Sequence, residues 1–240
     1  MSTAIRASVF GVAVALVLVT AGAAMGATYV VSPDGLGDYP TIQAAILAAT
    51  DDDIIELADG TFTGDGNRDI NVPSRPITIR GQSANYLNCI IDCEGSARAE
   101  HRGFRFGPEV GTGDALLKDV AIINGYTTTS GGGIWIAGAS PEIRGCAIAQ
   151  CTVAGSSLKG GGIYVSDGGD PDVFFCLISE NTADYGGGVA VFSVGCLFWD
   201  CEIGDNTATN TGGGVYIQST ETIVFNYSDI VSNTSLRAGG

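Results

Sequence analysis

Four glycine triplets constrain the fold of this chain more than any other feature of its 240 residues. The triplets begin at Gly131, Gly160, Gly186 and Gly212, so successive copies start 29, 26 and 26 residues apart. A fifth copy begins at Gly239, where the sequence stops. A period of this length is typical of a solenoid, in which each repeat forms one unit stacked on the next. Collagen is excluded, because glycine does not occupy every third position.

Each repeat contains three short stretches in which apolar residues alternate with others. The last stretch ends in an isoleucine, and the equivalent residues are Ile148, Ile178, Ile203 and Ile230. A period of two is typical of strands rather than helices. The sequence therefore predicts an all-β fold, a right-handed parallel β-helix (solenoid) in which every repeat winds once around a common axis. The four isoleucines are then expected to stack in a dry interior.

Asparagines recur at the turn that follows the isoleucine strand. They are Asn181, Asn206 and Asn233, and stacked amides there can bond to one another and to turn carbonyls. The rival interpretation is N-glycosylation, whose acceptor pattern occurs at Asn226 and Asn233 but not at Asn181.

The seven cysteines leave at least one unpaired, because their number is odd. Cys146, Cys176 and Cys201 are expected to form an inward column whose spacing lies within the Cα range of a disulfide. Side chains that are stacked in register do not readily adopt the dihedral angle that a disulfide requires, so buried thiols are favoured. Cys89 with Cys93 is the other candidate pair.

The N-terminus, residues 1–27, is predicted to be a secretory signal. Arg6 precedes the apolar run 7–19, and small residues follow it. The rival interpretation is a transmembrane anchor over 7–27, which is just long enough to span a bilayer. After signal cleavage no membrane span is expected.

Residues 28–82 are predicted to form an N-terminal cap and the first irregular coils. An amphipathic helix over 41–49, beginning at Pro40, is expected to cover the open end of the stack. The expected strands in and after this part are Ile54–Leu57, Ile70–Val72, Ile77–Ile79, Cys89–Ile91 and Phe104–Phe106. Residues 83–240 are predicted to form the β-helix repeats, truncated at the C-terminus because a stack needs a cap at both ends.

Two segments, 32–46 and 53–62, resemble the opening of pectin-lyase-fold proteins, pectin methylesterases included. The Gly-Gly-Gly-Ile and Ile-x-x-Asn pairs resemble the repeats of chlamydial polymorphic membrane proteins. The resemblance implies a right-handed parallel β-helix, but it says little about activity, because this fold hosts many functions. Enzymes of the fold, as the resemblance implies, use paired aspartates, aspartate with arginine and glutamine, or calcium-binding acidic residues with an arginine base. The sequence contains none of their signatures clearly, so no catalytic residue is predicted.

One acidic cluster is a candidate metal site. Asp167, Asp170 and Asp172 supply carboxylates at a spacing that could hold calcium, and a solvated turn is the alternative. No other cofactor is expected. The run 51–53 is interpreted as a turn, and His101, the only histidine, as a surface loop residue.

Aromatic residues occupy the outward position between the two apolar residues that follow each triplet. They are Trp135, Tyr164 and Tyr216, with Ala190 in the remaining copy. Such a column offers sugar rings a stacking platform, although aromatic stacking also stabilises sheets without a ligand.

Charge limits the partners of the chain. Its formal net charge is −15, and removal of Arg6 with the signal makes it −16. Such a surface repels nucleic acid and anionic lipid. The sequence therefore predicts an exported bacterial scaffold, secreted or associated with the cell surface or outer membrane, that binds polysaccharide or another surface protein. The alternative is a polysaccharide-active enzyme, a lyase or an esterase.

Overall fold

A parallel coil contains all the strands that the structure describes. The structure, a computed structural model, describes residues 26–107, 114–192 and 195–237. Its strands form four sheets, and every pairing between these strands is parallel. This confirms the predicted parallel solenoid. The predicted signal segment, apart from residues 26 and 27, and the fifth triplet lie outside the described residues.

The four sheets are named A to D in the order in which one turn of the coil visits them. Sheet A contains β1 (Thr28–Val31), β2 (Ile54–Leu57), β5 (Thr78–Gly81), β8 (Leu116–Lys118), β12 (Glu142–Arg144), β16 (Asp172–Phe174), β20 (Cys196–Trp199) and β24 (Ile223–Asn226). Sheet B contains β3 (Gly60–Phe62), β6 (Cys89–Asp92), β9 (Ala121–Ile123), β13 (Ala147–Ala149), β17 (Leu177–Ser179), β21 (Glu202–Gly204) and β25 (Asp229–Val231).

The other two sides of the coil differ in length. Sheet C contains the short strands β10 (Tyr126–Thr127), β14 (Thr152–Val153), β18 (Thr182–Tyr185), β22 (Thr207–Thr211) and β26 (Thr234–Ser235). Sheet D contains β4 (Ile70–Val72), β7 (Phe104–Phe106), β11 (Ile134–Ala137), β15 (Ile163–Ser166), β19 (Val189–Phe192) and β23 (Val215–Gln218). Sheet C was not predicted, because its strands are short and rich in threonine and carry no apolar alternation.

The isoleucine column follows the predicted register. Ile148 pairs with Ile178, Ile178 with Ile203, and Ile203 with Ile230. The first three side chains are fully buried, whereas Ile230 is 46% exposed. The prediction of a dry interior is therefore wrong for Ile230, because no strand of the described ranges lies beyond β25 to cover it.

The glycine triplets turn the chain from sheet C into sheet D. Their first glycines have positive φ angles, 65° at Gly160 and 61° at Gly186, which other residues adopt only with strain. The later glycines allow close backbone approach, since a Cβ added at Gly188 would lie 2.7 Å from the carbonyl oxygen of Gly214. The backbone just before this turn is less regular, because the β18–β22 register shifts between Ala183 and Tyr185.

One helix covers the first coils. It is α1 (Ile42–Ala48), whose N-cap is Thr41, and it packs against β1, β2 and β4. The Thr41 hydroxyl accepts a hydrogen bond from the amide of Ala44 at 3.2 Å, which satisfies one free donor of the first turn. Pro40 therefore precedes the cap instead of opening the helix. In the part of the chain that the structure describes, no helix is long and apolar enough to cross a membrane.

Stacked amides bond the turns between sheets B and C. Asn181 and Asn206 are fully buried, and the Nδ2 atom of each donates to the Oδ1 atom of the next asparagine at 3.0 Å. Asn181 also donates to the carbonyl of Ile148 at 2.9 Å, and its Oδ1 accepts the amide of Cys151 at 2.9 Å. This confirms the predicted amide column, which satisfies backbone groups that no strand can reach.

The thiols of Cys146, Cys176 and Cys201 lie in the turns between sheets A and B. All seven cysteines are free and buried, which agrees with the preference for thiols over disulfides. The amide of Cys146 donates to Sγ of Cys176 at 3.4 Å, and the amide of Cys201 donates to Oγ of Ser228 at 3.1 Å. A serine hydroxyl thus replaces the sulfur one coil later. The predicted pair Cys89 and Cys93 is also unbonded.

We expect Asn206→Ala to lower the free energy of unfolding by about 3 kcal/mol, because it leaves several buried amide and carbonyl groups without partners. Asn226→Ala, at an exposed position, is the control and should cost less than about 0.5 kcal/mol. Chemical denaturation followed by circular dichroism measures both. Equal losses for the two variants would contradict the structural role of the amide column.

Thiol alkylation tests the buried cysteines. Burial raises the pKa of Cys151 to about 12, and burial with nearby carboxylates raises those of Cys89 and Cys196 to about 12. In native protein these thiols should therefore react with iodoacetamide about a hundredfold more slowly than in denatured protein. Mass spectrometry of alkylated peptides measures the rates. Unreactive cysteines in non-reduced, denatured protein would instead show disulfides.

Candidate functional site

The outward residues of sheet D form a side of the coil that is rich in aromatic rings. The register of the sheet places the following residues in one outward column: Asn71, Arg105, Trp135, Tyr164, Ala190 and Tyr216. The three predicted aromatic residues therefore share one column, as expected from their positions after the triplets. All three are half-buried.

Two further rings, which the sequence analysis missed, complete the row. Phe192 lies 5.8 Å from the Tyr164 ring and 5.7 Å from the Tyr216 ring, measured between centroids, so it fills the gap at Ala190. Tyr185 lies 5.0 Å from Tyr216. Phe192 follows Ala190 by two residues, so strand alternation could have placed it on the same side. Tyr185 precedes a triplet, where the repeats differ in length, and no pattern identifies it.

Basic side chains lie over these rings. The guanidinium carbons of Arg102 and Arg105 are 5.1 and 4.7 Å from the centroid of Trp135. The ammonium nitrogen of Lys159 is 4.7 Å from the centroid of Phe192. These distances are within the range of cation–π attraction. The eight residues Arg102, Arg105, Trp135, Lys159, Tyr164, Tyr185, Phe192 and Tyr216 are called the sheet D face below.

The cations of the sheet D face differ in their partners from most other basic residues. Five basic side chains elsewhere form ion pairs with carboxylates, and these residues are Arg68, Arg75, Arg80, Lys118 and Arg144. Within residues 26–107, 114–192 and 195–237, Arg102, Arg105 and Lys159 form no ion pair. Arg102 instead donates to threonine hydroxyls and to the Ser130 carbonyl. Burial lowers the pKa of Arg102, but an arginine stays charged at neutral pH.

Hydrogen bonds and burial hold two of the rings in place. The indole Nε1 of Trp135 donates to Oγ of Ser166 at 3.5 Å, one coil further on. Burial raises the pKa of the Tyr164 hydroxyl, so this group stays a neutral donor at neutral pH. The sheet D face therefore presents ring surfaces along the coil axis, with cations that form no ion pair in the described residues, although the nearby carboxylates of Asp69 and Glu100 act on Arg102.

A cleft adjoins the N-terminal end of the sheet D face. It has a volume of about 660 Å³ and lies between α1 and the first strands of sheet D, where Arg105 and Asp69 line it. Asp69 Oδ2 is 2.6 Å from Nδ1 of His101, and Asp69 Oδ1 accepts the amide of Arg102 at 2.9 Å. The His101 side chain is only 20% exposed. His101 lies outside the named strands, as expected of a loop residue, but its ring is held by the carboxylate of Asp69, the residue just before β4.

The predicted calcium residues are not gathered around one point. Asp167 accepts a hydrogen bond from Ser166, and the amide of Asp170 bonds to Ser140. Asp172 begins β16, and burial raises its pKa, with smaller contributions from Asp170 and a nearby glutamate. In the described ranges no group of three or more histidine, cysteine or acidic side chains is placed to hold a metal ion. The calcium site stays a prediction.

The other acidic run, 51–53, forms a turn, as interpreted from the sequence. Asp53 is buried, and its carboxylate accepts the amides of Ala27 and Thr50 at 2.6 and 2.7 Å. These bonds outweigh burial and lower its pKa. Its role is therefore to hold the chain entering β1 against the loop before β2.

Comparisons with known proteins agree with this architecture. Residues 102–239 match the family described as "Right handed beta helix region". No curated protein matches the sequence significantly.

Several solved structures have a similar fold. The crystal structure of pectate lyase Pel9A superposes with a TM-score of 0.57 at 16% identity, over 85% of this chain and 53% of that one. Escherichia coli ybhc gives 0.51 at 15% identity, over 98% and 71% of the two chains. The pectin methylesterase from Aspergillus niger gives 0.50 at 17% identity, over 92% and 85%. This chain spans about half the length of the pectate lyase, and identities this low establish the fold alone.

A double-mutant cycle tests the contact between Arg105 and Trp135. Arg105→Met and Trp135→Leu should show a coupling free energy of about 0.5–1 kcal/mol in urea denaturation, because either change removes the cation–π contact. The control cycle combines Trp135→Leu with Arg80→Met, whose arginine is on sheet A, and should be additive. Additivity in both cycles would show that Arg105 does not rest on the ring.

Proposed function

Because the chain belongs to the right-handed β-helix family, we propose that it is an exported scaffold whose sheet D face binds polysaccharide, and preferentially polysaccharide that carries carboxylates. The observation that carries this proposal is the row of aromatic rings along the coil axis, with uncompensated cations among them. Calcium and a protein partner at the cell surface remain open expectations.

Ring geometry supports binding of an extended polymer. Parallel strands repeat about every 4.8 Å, so outward side chains of successive coils recur along a straight line. Trp135, Tyr164, Phe192 and Tyr216 lie along this line and are half-buried, which fixes their orientation and leaves part of each ring accessible. Rings held in advance lose little side-chain entropy when a sugar stacks on them.

Charge supports the preference for acidic sugars. The chain has a net charge of −15, which on its own repels a polyanion. The three cations of the sheet D face are free of carboxylate partners in the part of the chain that the structure describes, so they are available to an anion. Arginine suits this role, because its planar guanidinium can bind a carboxylate with two hydrogen bonds.

The similar structures suggest which polymers to test first. Their names include a pectate lyase and a pectin methylesterase. Pectate and pectin are therefore the first polysaccharides to examine with this chain. The apolar run after Arg6 supports export, to the medium or the surface of a bacterium.

One observation favours the alternative function, a polysaccharide lyase or carbohydrate esterase. A carboxylate that binds Nδ1 of a histidine orients the ring and leaves Nε2 as a general base. Asp69 and His101 have this arrangement beside the cleft that Arg105 lines. The scaffold is preferred because the rings and cations extend over several coils, whereas the pair is a single local feature.

We expect the wild-type protein to bind polygalacturonate in affinity electrophoresis, and Trp135→Ala to weaken binding about tenfold through the loss of ring stacking. Arg105→Gln should weaken binding and reduce its dependence on salt. Tyr29→Ala, at an aromatic residue on sheet A, is the matched control and should bind as the wild type does.

Unchanged binding by both sheet D variants would contradict the proposal. The same mixtures, with calcium added, are monitored by ultraviolet absorbance for unsaturated product and by titration for released acid. Product that forms with the wild type and not with His101→Gln would favour the enzyme instead.

A further inference from the structure

A second group of aromatic side chains lies at the corner between sheets A and B. There Tyr86, Phe175 and Tyr227 line a groove with a volume of about 310 Å³, together with the carboxylates of Asp200, Glu202 and Asp229. This groove is called the corner groove. It is distinct from the sheet D face, with which it shares no residue.

Two of the rings are exposed at positions where the fold does not require an aromatic residue. Phe175 and Tyr227 are 48% and 79% exposed. Each is the first residue of the two-residue turn into sheet B, with a φ angle of 55° or 53°, a conformation that bulky residues avoid. The equivalent position one coil before Phe175 is Gly145, with φ 59°. The turn itself therefore requires no ring, and hydrophobic burial does not explain these two.

The carboxylates of the groove lack protein partners. In the ranges that the structure describes, none of Asp200, Glu202 and Asp229 forms an ion pair. The guanidinium carbon of Arg144 lies 5.7 Å from the centroid of Phe175, but Arg144 is paired with Glu142 at 2.6 Å. The groove thus combines ring surfaces with uncompensated negative charge, the opposite of the sheet D face.

This combination selects a chemical class of ligand. A hard metal ion prefers a closed set of oxygen ligands and gains nothing from rings. A neutral apolar ligand would gain nothing from the carboxylates. An alkylated ammonium group gains from both, because its charge is attracted to ring faces and to carboxylates and its methyl groups are easily desolvated. We propose that the corner groove binds an organic cation of this class, a quaternary ammonium group.

Choline is the probe, and Trp199 is the reporter, because its ring lies 4.9 Å from that of Tyr227. We expect choline to change the tryptophan fluorescence in a saturable way and to bind in calorimetry. The uncharged isostere, in which a tert-butyl group replaces trimethylammonium, should bind at least about tenfold more weakly.

Glycine substitutions separate binding from folding. Phe175→Gly and Tyr227→Gly introduce the residue that Gly145 already supplies in this turn, so thermal stability should be retained while choline affinity falls about tenfold in each. Asp200→Asn should also weaken binding. The matched control is Asp205→Asn, an exposed carboxylate of the same coil at the opposite end of β21.

Three results would overturn the proposal. Equal affinity for choline and its isostere would show a plain apolar groove. Displacement of choline by calcium at equal concentration would show a metal site. Unchanged choline affinity in both glycine variants would show that the rings are not the binding element.

Discussion

In-register parallel pairing is the constraint on which the rest of this structure depends. Each residue lies over its equivalent in the next coil. Side chains of the same type are therefore stacked along the axis, and the contacts between them must be favourable. Stacked isoleucines are stabilised by burial, and stacked asparagines by hydrogen bonds between their amides. In the cysteine column, each sulfur or serine hydroxyl accepts the backbone amide of the coil before it and donates to a carbonyl of its own turn. A slip of one residue would turn each of these columns to the wrong side.

Charged columns show the same constraint most clearly. Arg80, Lys118 and Arg144 lie in register on the outside of sheet A, where like charges would repel. Each is within 3.1 Å of a carboxylate, so the column is locally neutral. Arg105 on sheet D lacks such a carboxylate in the described ranges and rests on Trp135 instead. The cations of this sheet A column are thus paired with carboxylates, whereas Arg105 on sheet D is placed over an aromatic ring.

The sequence was sufficient for segments with apolar periodicity and insufficient for segments without it and for contacts between parts of the chain that share no motif. Strand alternation and the triplet spacing predicted the isoleucine, cysteine and asparagine columns and the ring positions Trp135, Tyr164 and Tyr216. Sheet C was missed, since its threonine-rich strands are held by coil neighbours rather than by apolar alternation. The Asp69–His101 pair and the approach of Tyr86 to Phe175 join parts of the chain with no shared motif. Their proximity depends on how irregular loops fold onto the coil.

The segment before the glycine triplets can vary in length and sequence more freely than the rest of the coil. The strands after the glycine triplets pair in register in every coil. The residues before the triplets need not keep this register, as the shift between Ala183 and Tyr185 shows. Segments of different length can therefore be accommodated at this one edge without disturbing the columns on either side. Tyr185, which projects from this edge onto Tyr216, shows that such variation can add an aromatic side chain to the neighbouring sheet while the framework stays unaltered.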